Sequence, residues 1–422
     1  MSDHPARASG FRQCLQKHSV KIIGVVILLV SAWPIKSWWD EQVELKFVTD
    51  CETASKASDW EAEKRAATQW CEWSPGDGRA WIRLAEAHSG LGDLDQAADC
   101  LGRVPLDHEK AIPSLMEKAN IEWTNLNSPK EGLKTCELIV QQNSRAIEAH
   151  ARIISFYAMT VQRSRMLNAI RTAVKAEGEP REAYLYLILA DQPIFTNAID
   201  LNARWLSSDS GNETYRVGLA IQTALHVFAD AEATAKDNAL EKEKEAIVRL
   251  EEFAEAYPSN VAVLSILIDY FVEQGDISKV EGLLRRVPAE AVDDHLIWTC
   301  RGWYHSVRNE LDLAREAFRH ALEIHPCSPR AINEYAALLR LEQQTEKAAE
   351  LQTLAQRGFD LRKQLLQLQT ARSASPQQLF EIAKYAEACG DELIARALKK
   401  RLETMAGMSL DKFKPALLGN PR

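Results

Sequence analysis

Residues 298–326 read WTCRGWYHSVRNELDLAREAFRHALEIHP and contain two helical stripes separated by a break. Members of the first stripe are spaced i, i+3, i+4 and i+7, on one face of an α-helix: Trp298, Arg301, Gly302 and His305. The break falls at Asn309, a residue type that can end a helix in the left-handed conformation. The second stripe consists of Ala314, Phe318 and Ala321. The stretch therefore predicts a helix, a tight turn and a second helix.

This helix–turn–helix pattern recurs along the chain. The copies headed by Leu264, Trp298 and Ile332 begin 34 residues apart. Further copies are headed by Trp81 and Leu379, and steps of 34 from Trp81 reach apolar stripes headed by Phe47, Leu115, Ala149 and Ala183. A fixed period of this length is the signature of stacked helical repeats, in which each pair buries its apolar face against its neighbours.

Two surpluses of thirteen residues interrupt the period. We place the first near 232–245, a polar run rich in Ala, Lys and Glu that would lengthen one helix or its turn. We place the second at 359–372 and predict that it forms an extra helix.

The repeats resemble the tetratricopeptide repeat family, a 34-residue helix–turn–helix unit. The copy quoted above matches the family pattern at Trp298, Gly302, Ala314, Phe318, Ala321 and Pro326. The resemblance covers most of residues 42–404 and implies about eight to ten repeats. We predict an all-α fold, a right-handed α-solenoid of stacked helix-turn-helix repeats, preceded by one N-terminal transmembrane helix. The predicted divisions are a basic head (1–19), a transmembrane signal-anchor helix (20–39), the repeat array (42–404) and a flexible tail (405–422).

The N-terminal anchor is predicted from a charge-free run between Ile22 and Ile35. With Lys21 and Lys36 reaching toward the headgroups, and Trp38 and Trp39 at their level, the stretch 20–39 gives about 30 Å of helix, the thickness of a bilayer core. The small residues in Val30-Ser31-Ala32 also fit a signal-peptidase site, so a cleaved signal peptide stays the alternative.

The distribution of charge along the chain predicts its orientation across the membrane. Residues 1–21 carry net +3 and residues 360–422 net +4, which leaves −16 between them when the whole chain is −9. Because basic residues precede the apolar run, we expect the head to stay cytoplasmic and the acidic repeat body to lie on the exoplasmic or periplasmic side. The negative charge disfavours binding of nucleic acid by the whole chain.

Motifs of catalysis and metal binding are missing from the sequence. There is no phosphate-binding Gly-rich loop, Gly-x-Ser-x-Gly or His-Glu-x-x-His. His320 and His325 are expected on a helix surface, and the acidic pairs 251–252 and 293–294 on solvated faces. The eight cysteines contain no Cys-x-x-Cys and are expected mainly to pack; seven lie in the repeat body, and one long-range disulfide stays open. We expect no catalytic site, metal, cofactor or small-molecule substrate.

The family resemblance implies a binding groove. Its concave face is lined by the first helix of each pair, which carries over to Asp269, Thr299, Trp303, Arg330, Asn333 and Arg340. Trp303 beside Arg330 and Arg340 is the kind of grouping that dominates interface energetics. The alternative is that Trp303 packs against the neighbouring repeat.

The function predicted from the sequence is a non-catalytic protein–protein interaction scaffold, membrane-anchored, which binds partner protein segments in this groove. Two alternatives stay open. One is an assembly or regulatory subunit of an envelope enzyme, translocation or cytochrome-maturation complex. The other is a secreted soluble repeat protein released by signal-peptide cleavage.

Overall fold

The computed structural model describes residues 36–195, 197–234, 239–289, 291–368 and 370–406. Within these residues the chain forms twenty α-helices and no β-strand, which confirms the predicted all-α class. Contacts divide the chain into two compact units at Lys118/Ala119, where the sequence predicts a single array.

The first unit contains two helical pairs. Its helices are α1 (36–56), α2 (Trp60–Trp73), α3 (Gly78–Leu91) and α4 (Leu94–Leu101), and the unit boundary falls within α5 (Ala111–Asn120). Phe47 of α1 stacks on Trp70 of α2 with ring centroids 6.3 Å apart. The fully buried Trp70 thus fills the space between the first two helices, as a large residue does at a helix–helix contact.

The second unit holds the remaining helices. Its first part comprises α6 (Pro129–Gln142), α7 (Ile147–Met159), α8 (Arg163–Lys175), α9 (Ala183–Ile188), α10 (Ala198–Ser208), α11 (Glu213–Thr234) and α12 (Ala239–Ala256). Its second part comprises α13 (Val261–Glu273), α14 (Ile277–Leu284), α15 (His295–Val307), α16 (Leu311–Ile324), α17 (Pro329–Leu341), α18 (Thr345–Leu366), α19 (Pro376–Ala388) and α20 (Glu392–Ala406). The copies headed by Leu264, Trp298, Ile332 and Leu379 form the pairs α13–α14, α15–α16, α17–α18 and α19–α20.

Residues in the left-handed conformation end the first helix of the α3–α4 pair and of the four pairs named above. Gly92, Gly275 and Gly390 have φ of 83°, 70° and 77°, and Asn309 has φ of 59°. This confirms the turn positions predicted from the sequence, because glycine and asparagine adopt this conformation most readily. In the α17–α18 pair the equivalent position is Gln343, which adopts φ of 62° although it is neither glycine nor asparagine.

The aspartates that follow the three glycines differ in their roles. Asp276 and Asp391 accept backbone N–H groups of Lys279 and Ile394, at 3.0 and 3.4 Å, and so cap the next helix as predicted. Asp93 makes no such bond and lies 3.4 Å from Nδ1 of His88 instead.

Both insertions lie in long helices. The first contributes to the pair of 22 and 18 residues formed by α11 and α12, with 235–238 outside the described residues. The second does not form the predicted extra helix. Instead α18 continues unbroken for 22 residues to Leu366, and only a 3₁₀ turn at Ala371–Ser373 follows before α19.

Helix α9 connects distant parts of the second unit. All of its six residues are buried, and it packs against α7, α8, α18 and α19. Arg171 of α8 binds Asp391 with both guanidinium branches at 3.2 and 2.8 Å, and Arg401 of α20 binds Glu179 at 3.1 Å. An open array of repeats would contact only sequence neighbours. The second unit departs from that expectation because its early helices pack on its last ones.

The predicted transmembrane segment lies almost wholly outside the described residues. Only its last four positions, 36–39, are described, and they begin α1 with Trp38 and Trp39 exposed. Among the described helices none combines the length and the apolar character that a bilayer crossing requires. The head 1–19 and nearly all of the tail 405–422 are also outside this range.

A substitution at Gly302 tests how closely α15 and α16 approach each other. A Cβ atom there would overlap the ring of Phe318, which is buried in the core between the two helices. We expect Gly302→Ala to lower the free energy of unfolding by about 1–3 kcal/mol through overpacking, despite the better helix propensity of alanine. Urea denaturation of the purified chain measures this.

The matched control is Gly282→Ala in α14, where a Cβ would meet nothing within 4 Å. This variant should be neutral or stabilising by up to about 1 kcal/mol. Equal effects of the two substitutions would contradict the packing described for Gly302.

Candidate functional site

The predicted groove residues lie on three first helices of the second unit: α13, α15 and α17. Asp269 and Thr299 are buried, Trp303, Arg330 and Asn333 are half-buried, and Arg340 is exposed. The structure therefore distributes the six predicted residues between the protein interior and the surface.

The N-terminal part of this inner face is covered by the chain itself. Asp191, just beyond α9, accepts hydrogen bonds from the Ser328 hydroxyl at 2.9 and 3.0 Å and from the Arg330 backbone N–H at 3.2 Å. Its Oδ1 also lies 2.7 Å from Nε2 of His295. These bonds hold the segment after α9 on the starts of α15 and α17, so this part of the expected groove is closed to a partner.

Arg163 fixes the same segment from the other side. Arg163 is 3 % exposed, and its guanidinium donates to the backbone oxygen of Ala190 at 2.8 Å, to Asp294 at 3.1 Å and to the Ser265 hydroxyl at 3.1 Å. Asp294 is also the N-cap of α15, accepting the N–H groups of its first turn. The expectation of a solvated face for Asp294 is wrong, because this carboxylate neutralises a buried arginine.

His325 is also buried, which contradicts the expectation of a helix-surface histidine. It lies at the end of α16, next to His295 at a ring-centroid distance of 4.7 Å and an interplanar angle of 69°. Burial and the neighbouring His295 hold the pKa of His325 well below its usual range. His320 is on the surface, as expected, near Glu323 at 3.5 Å.

Asp269 and Arg330 meet at an ionic cluster further along the inner face. Arg330 lies 3.4 Å from Asp269, 3.5 Å from Glu273 and 3.7 Å from Glu334. Burial raises the pKa of Asp269 above its usual value, although Arg330 and Arg163 oppose the shift. Burial also raises the pKa of Glu334, again against Arg330. Asp269 and Glu334 are thus poorly solvated carboxyl groups whose burial outweighs the stabilising effect of Arg330.

Three of the other predicted groove residues, Trp303, Arg340 and Thr299, make contacts within the chain. Trp303 packs on the core of α11–α15, in line with the alternative left open by the sequence. Arg340 donates to Gln352 of α18 at 2.8 Å, and the Thr299 hydroxyl donates to the backbone oxygen of His295 at 2.8 Å. The seven cysteines of the described chain are free thiols.

A cleft of about 660 Å³ opens beside the ionic cluster. Asp269, Glu273 and Arg330 line its polar side. Its apolar side is formed by residues of α11, α12, α13 and α18, among them Phe228, Leu240, Tyr270, Phe359 and Leu366. Phe228 and Tyr270 stack with ring centroids 5.7 Å apart, while Leu240 and Leu366 are 59 % and 42 % exposed. We call this cavity the inner cleft.

The inner cleft receives residues from both insertions. Leu240 and Glu243 belong to the first insertion, and Phe359, Arg362 and Leu366 to the second. Sequence reasoning located each insertion from the broken period but had no signal that the two converge. Their convergence follows from the length of α12 and α18, which the regular repeats do not share.

Helix pairs at 34-residue spacing, with a left-handed residue between their helices, decide the type of fold. The chain has a tetratricopeptide-type repeat fold. Neither a protein-family model nor a curated protein sequence matches it.

Several solved structures match the repeat fold over most of the chain. The APC/C hetero-tetramer Cut9–Hcn1 is 14 % identical over 86 % of this chain and 79 % of that chain, with a TM-score of 0.32. Yeast Tom70 is 11 % identical over 89 % and 90 %, with a TM-score of 0.24. The TPR domain of P58(IPK) is 13 % identical over 72 % and 99 %, also with a TM-score of 0.24. These superpositions are too loose to carry an argument about function.

The Arg163–Asp294 pair gives a prediction about stability. Arg163→Met keeps much of the side-chain volume but leaves the buried Asp294 carboxylate without its cation. We expect a loss of about 3–5 kcal/mol in the free energy of unfolding, the usual cost of breaking a buried ion pair. Chemical denaturation monitored by circular dichroism measures it.

Arg165→Ala is the control, two residues along the same helix. Arg165 is exposed and contacts Gln162 and the ring of Tyr157 at the surface. Its removal should change stability by no more than about 0.5 kcal/mol. A loss for Arg163→Met as small as that of the control would show that the buried pair does not hold the segment after α9.

Proposed function

We propose that the protein is a non-catalytic scaffold that binds a segment of a partner protein in the inner cleft. The observation that carries the proposal is the convergence of both insertions on this one cavity. Repeats that serve only to stack need no insertions, and insertions in repeat proteins commonly gather on the binding face. Here they supply Phe359 and two exposed leucines, which complete a cavity that also contains the stacked Phe228 and Tyr270 and the charge cluster.

The lining of the inner cleft favours a particular occupant. Its aromatic and leucine side chains suit a large apolar side chain, because burying apolar surface supplies most of the affinity of such contacts. Apart from Asp191, whose carboxylate is already hydrogen-bonded within the chain, the lining contains three acidic residues and two arginines. Asp269 in particular is held with a raised pKa and would gain from a cation. The expected occupant is therefore a segment with an apolar anchor flanked by Lys or Arg.

Membrane anchoring is the second part of the proposal. It is supported by the sequence 20–39 and by the excess of basic residues before the apolar run. An uncleaved anchor would hold the repeat body at the membrane surface, on the exoplasmic or periplasmic side. There it would recruit partners, either as a scaffold for changing clients or as a permanent subunit of an envelope complex.

The inner cleft is tested by site-specific crosslinking. A photo-reactive amino acid at Leu366 or Leu240 should capture one partner segment in the native host, identified by mass spectrometry. The same group at Leu341 or Leu313, which are exposed on other helices, serves as control. A common crosslinking product at all four positions would contradict a specific site.

Charge variants then test the expected occupant. With the crosslinked segment as a peptide, Leu366→Lys should weaken binding by at least about tenfold, through lost apolar contact and repulsion of a basic segment. Leu366→Glu should weaken it less, since attraction replaces repulsion, and Leu341→Lys should leave it unchanged. Fluorescence anisotropy gives the affinities. A reversed order of the two Leu366 variants would exclude a basic occupant.

The anchor has its own test. Leu28→Arg with Leu29→Arg places two charges in the middle of the apolar run, where each costs several kcal/mol in a bilayer. We expect the wild-type chain to resist carbonate extraction and the double variant to be extracted. External protease on spheroplasts should digest the repeat body of the wild type, and complete protection would show a reversed orientation.

A cleaved signal peptide predicts a different result. The mature chain would then begin beyond Ala32 and be extracted in both cases. N-terminal sequencing of the mature protein separates the two arrangements.

A further inference from the structure

The inside of the second unit contains a cluster of three metal-binding side chains. Asp191 follows α9, His295 begins α15, and His325 follows α16. All three are buried, with exposures of 4 %, 0 % and 0 %. One oxygen of Asp191 and one nitrogen of each imidazole lie within 4.8 Å of one another. Residues 104 and 30 positions apart in sequence thus converge on one point.

The hydrogen bonding of the cluster is uneven. Asp191 is well satisfied by Ser328, by the Arg330 backbone N–H and by His295. In contrast, both ring nitrogens of His325 and Nδ1 of His295 are buried without a hydrogen-bond partner among the described residues. Leaving a buried polar group unpaired costs about 1–3 kcal/mol. One nitrogen of each imidazole lies near the Asp191 carboxylate, and this pair of buried, under-bonded rings needs a physical explanation.

A bound cation would satisfy one nitrogen of each imidazole. A metal ion uses the lone pair of a neutral imidazole nitrogen and the charge of a carboxylate, and needs no hydrogen atom between them. Tetrahedral ligands at about 2.0–2.2 Å from an ion lie closer together than 4.8 Å, so small rotations of the three side chains would bring them to ligand distance and fill three of the four positions. Ser328 and the Arg330 backbone already orient the carboxylate, as partners of metal ligands generally do.

We propose that Asp191, His295 and His325 bind one divalent transition-metal ion, with Zn²⁺ as the ion that the donor set favours. Two imidazoles and a carboxylate are borderline ligands suited to zinc, whereas calcium and magnesium prefer oxygen alone. The ion would join the segment after α9 to the start of α15 and the end of α16. Its role is to join these three segments, since all three ligands are at most 4 % exposed and, of the three, only Asp191 also lines the inner cleft.

The first experiment measures metal content. The full chain is purified in mild detergent, unfolded with a chelator, and refolded with or without Zn²⁺, since a buried site loads during folding. After gel filtration we expect one zinc per chain in the loaded sample and a melting temperature several degrees above that of the metal-free sample. Absence of retained metal in the isolated and the refolded chain, with equal melting temperatures, would overturn the proposal.

Variants locate the site. His325→Asn and His295→Gln should each abolish stoichiometric zinc retention and the zinc-dependent rise in melting temperature. The control is His320→Asn, five residues before His325 on an exposed face of α16, which should retain one zinc per chain. Retention by His325→Asn equal to that of wild type would overturn the assignment.

A spectroscopic measurement on wild type covers the case in which these variants do not fold. X-ray absorption of the zinc-loaded chain should show a nitrogen and oxygen shell with the scattering of two imidazoles. A shell containing sulfur would place the ion at cysteines instead and refute the proposed ligand set.

Discussion

The buried carboxylate of Asp191 is the constraint on which the second unit depends. A carboxylate removed from water is tolerated only when hydrogen bonds or a cation compensate its lost hydration. Here the compensation comes from three sources on other elements: the His295 ring, the Ser328 hydroxyl and the Arg330 backbone N–H. Because Asp191 follows α9 directly, these bonds also fix where α9 lies. Burial alone would raise the pKa of Asp191, but the hydrogen bonds from His295 and from the Arg330 backbone N–H outweigh it and leave the pKa well below its usual range. The group thus stays ionised, and the repeats on either side remain connected through it.

The local part of the fold could be predicted from the sequence, because its causes are local. A left-handed residue between paired helices, a small residue at the close approach and a large one between pairs all recur at fixed offsets, as at Gly275, Gly302 and Phe318. The packing of α9 on α18 and α19 has no such periodic signal. It depends on contacts between residues more than 130 positions apart, such as Asp191 with Ser328. His325 is buried in the same region, and its local sequence does not distinguish it from an exposed polar residue at the end of a helix.

The candidate site also has a part that the sequence could predict and a part that it could not. Asp269 and Arg330 could be placed on the inner face by family pattern alone, and the structure brings them within 3.4 Å of each other. The pattern also proposed Trp303, whose position on the first helix is correct but whose ring packs into the core of its own repeats. Interruptions of the 34-residue spacing revealed both insertions, but they did not show that Leu240 and Phe359 would line one cavity. Spacing along a chain determines which face of a helix a residue occupies. Which faces meet is decided by helix lengths and by the path of the chain between distant helices.

In a protein built from similar repeats, a segment that folds back onto the array has several similar docking positions. Successive repeats present similar apolar surfaces, so a segment that folds back onto them could dock one repeat away at little hydrophobic cost. The N-cap positions of α13, α15 and α17 are Asn260, Asp294 and Ser328, spaced 34 residues apart, and only the middle one carries a charge. A shift by one repeat in either direction would leave the buried guanidinium of Arg163 facing a neutral side chain, at the cost of an uncompensated buried charge. Such a pair adds little net stability over a well-packed apolar contact, because desolvation consumes most of its attraction. We therefore infer that the pair contributes specificity for one docking position rather than net stability.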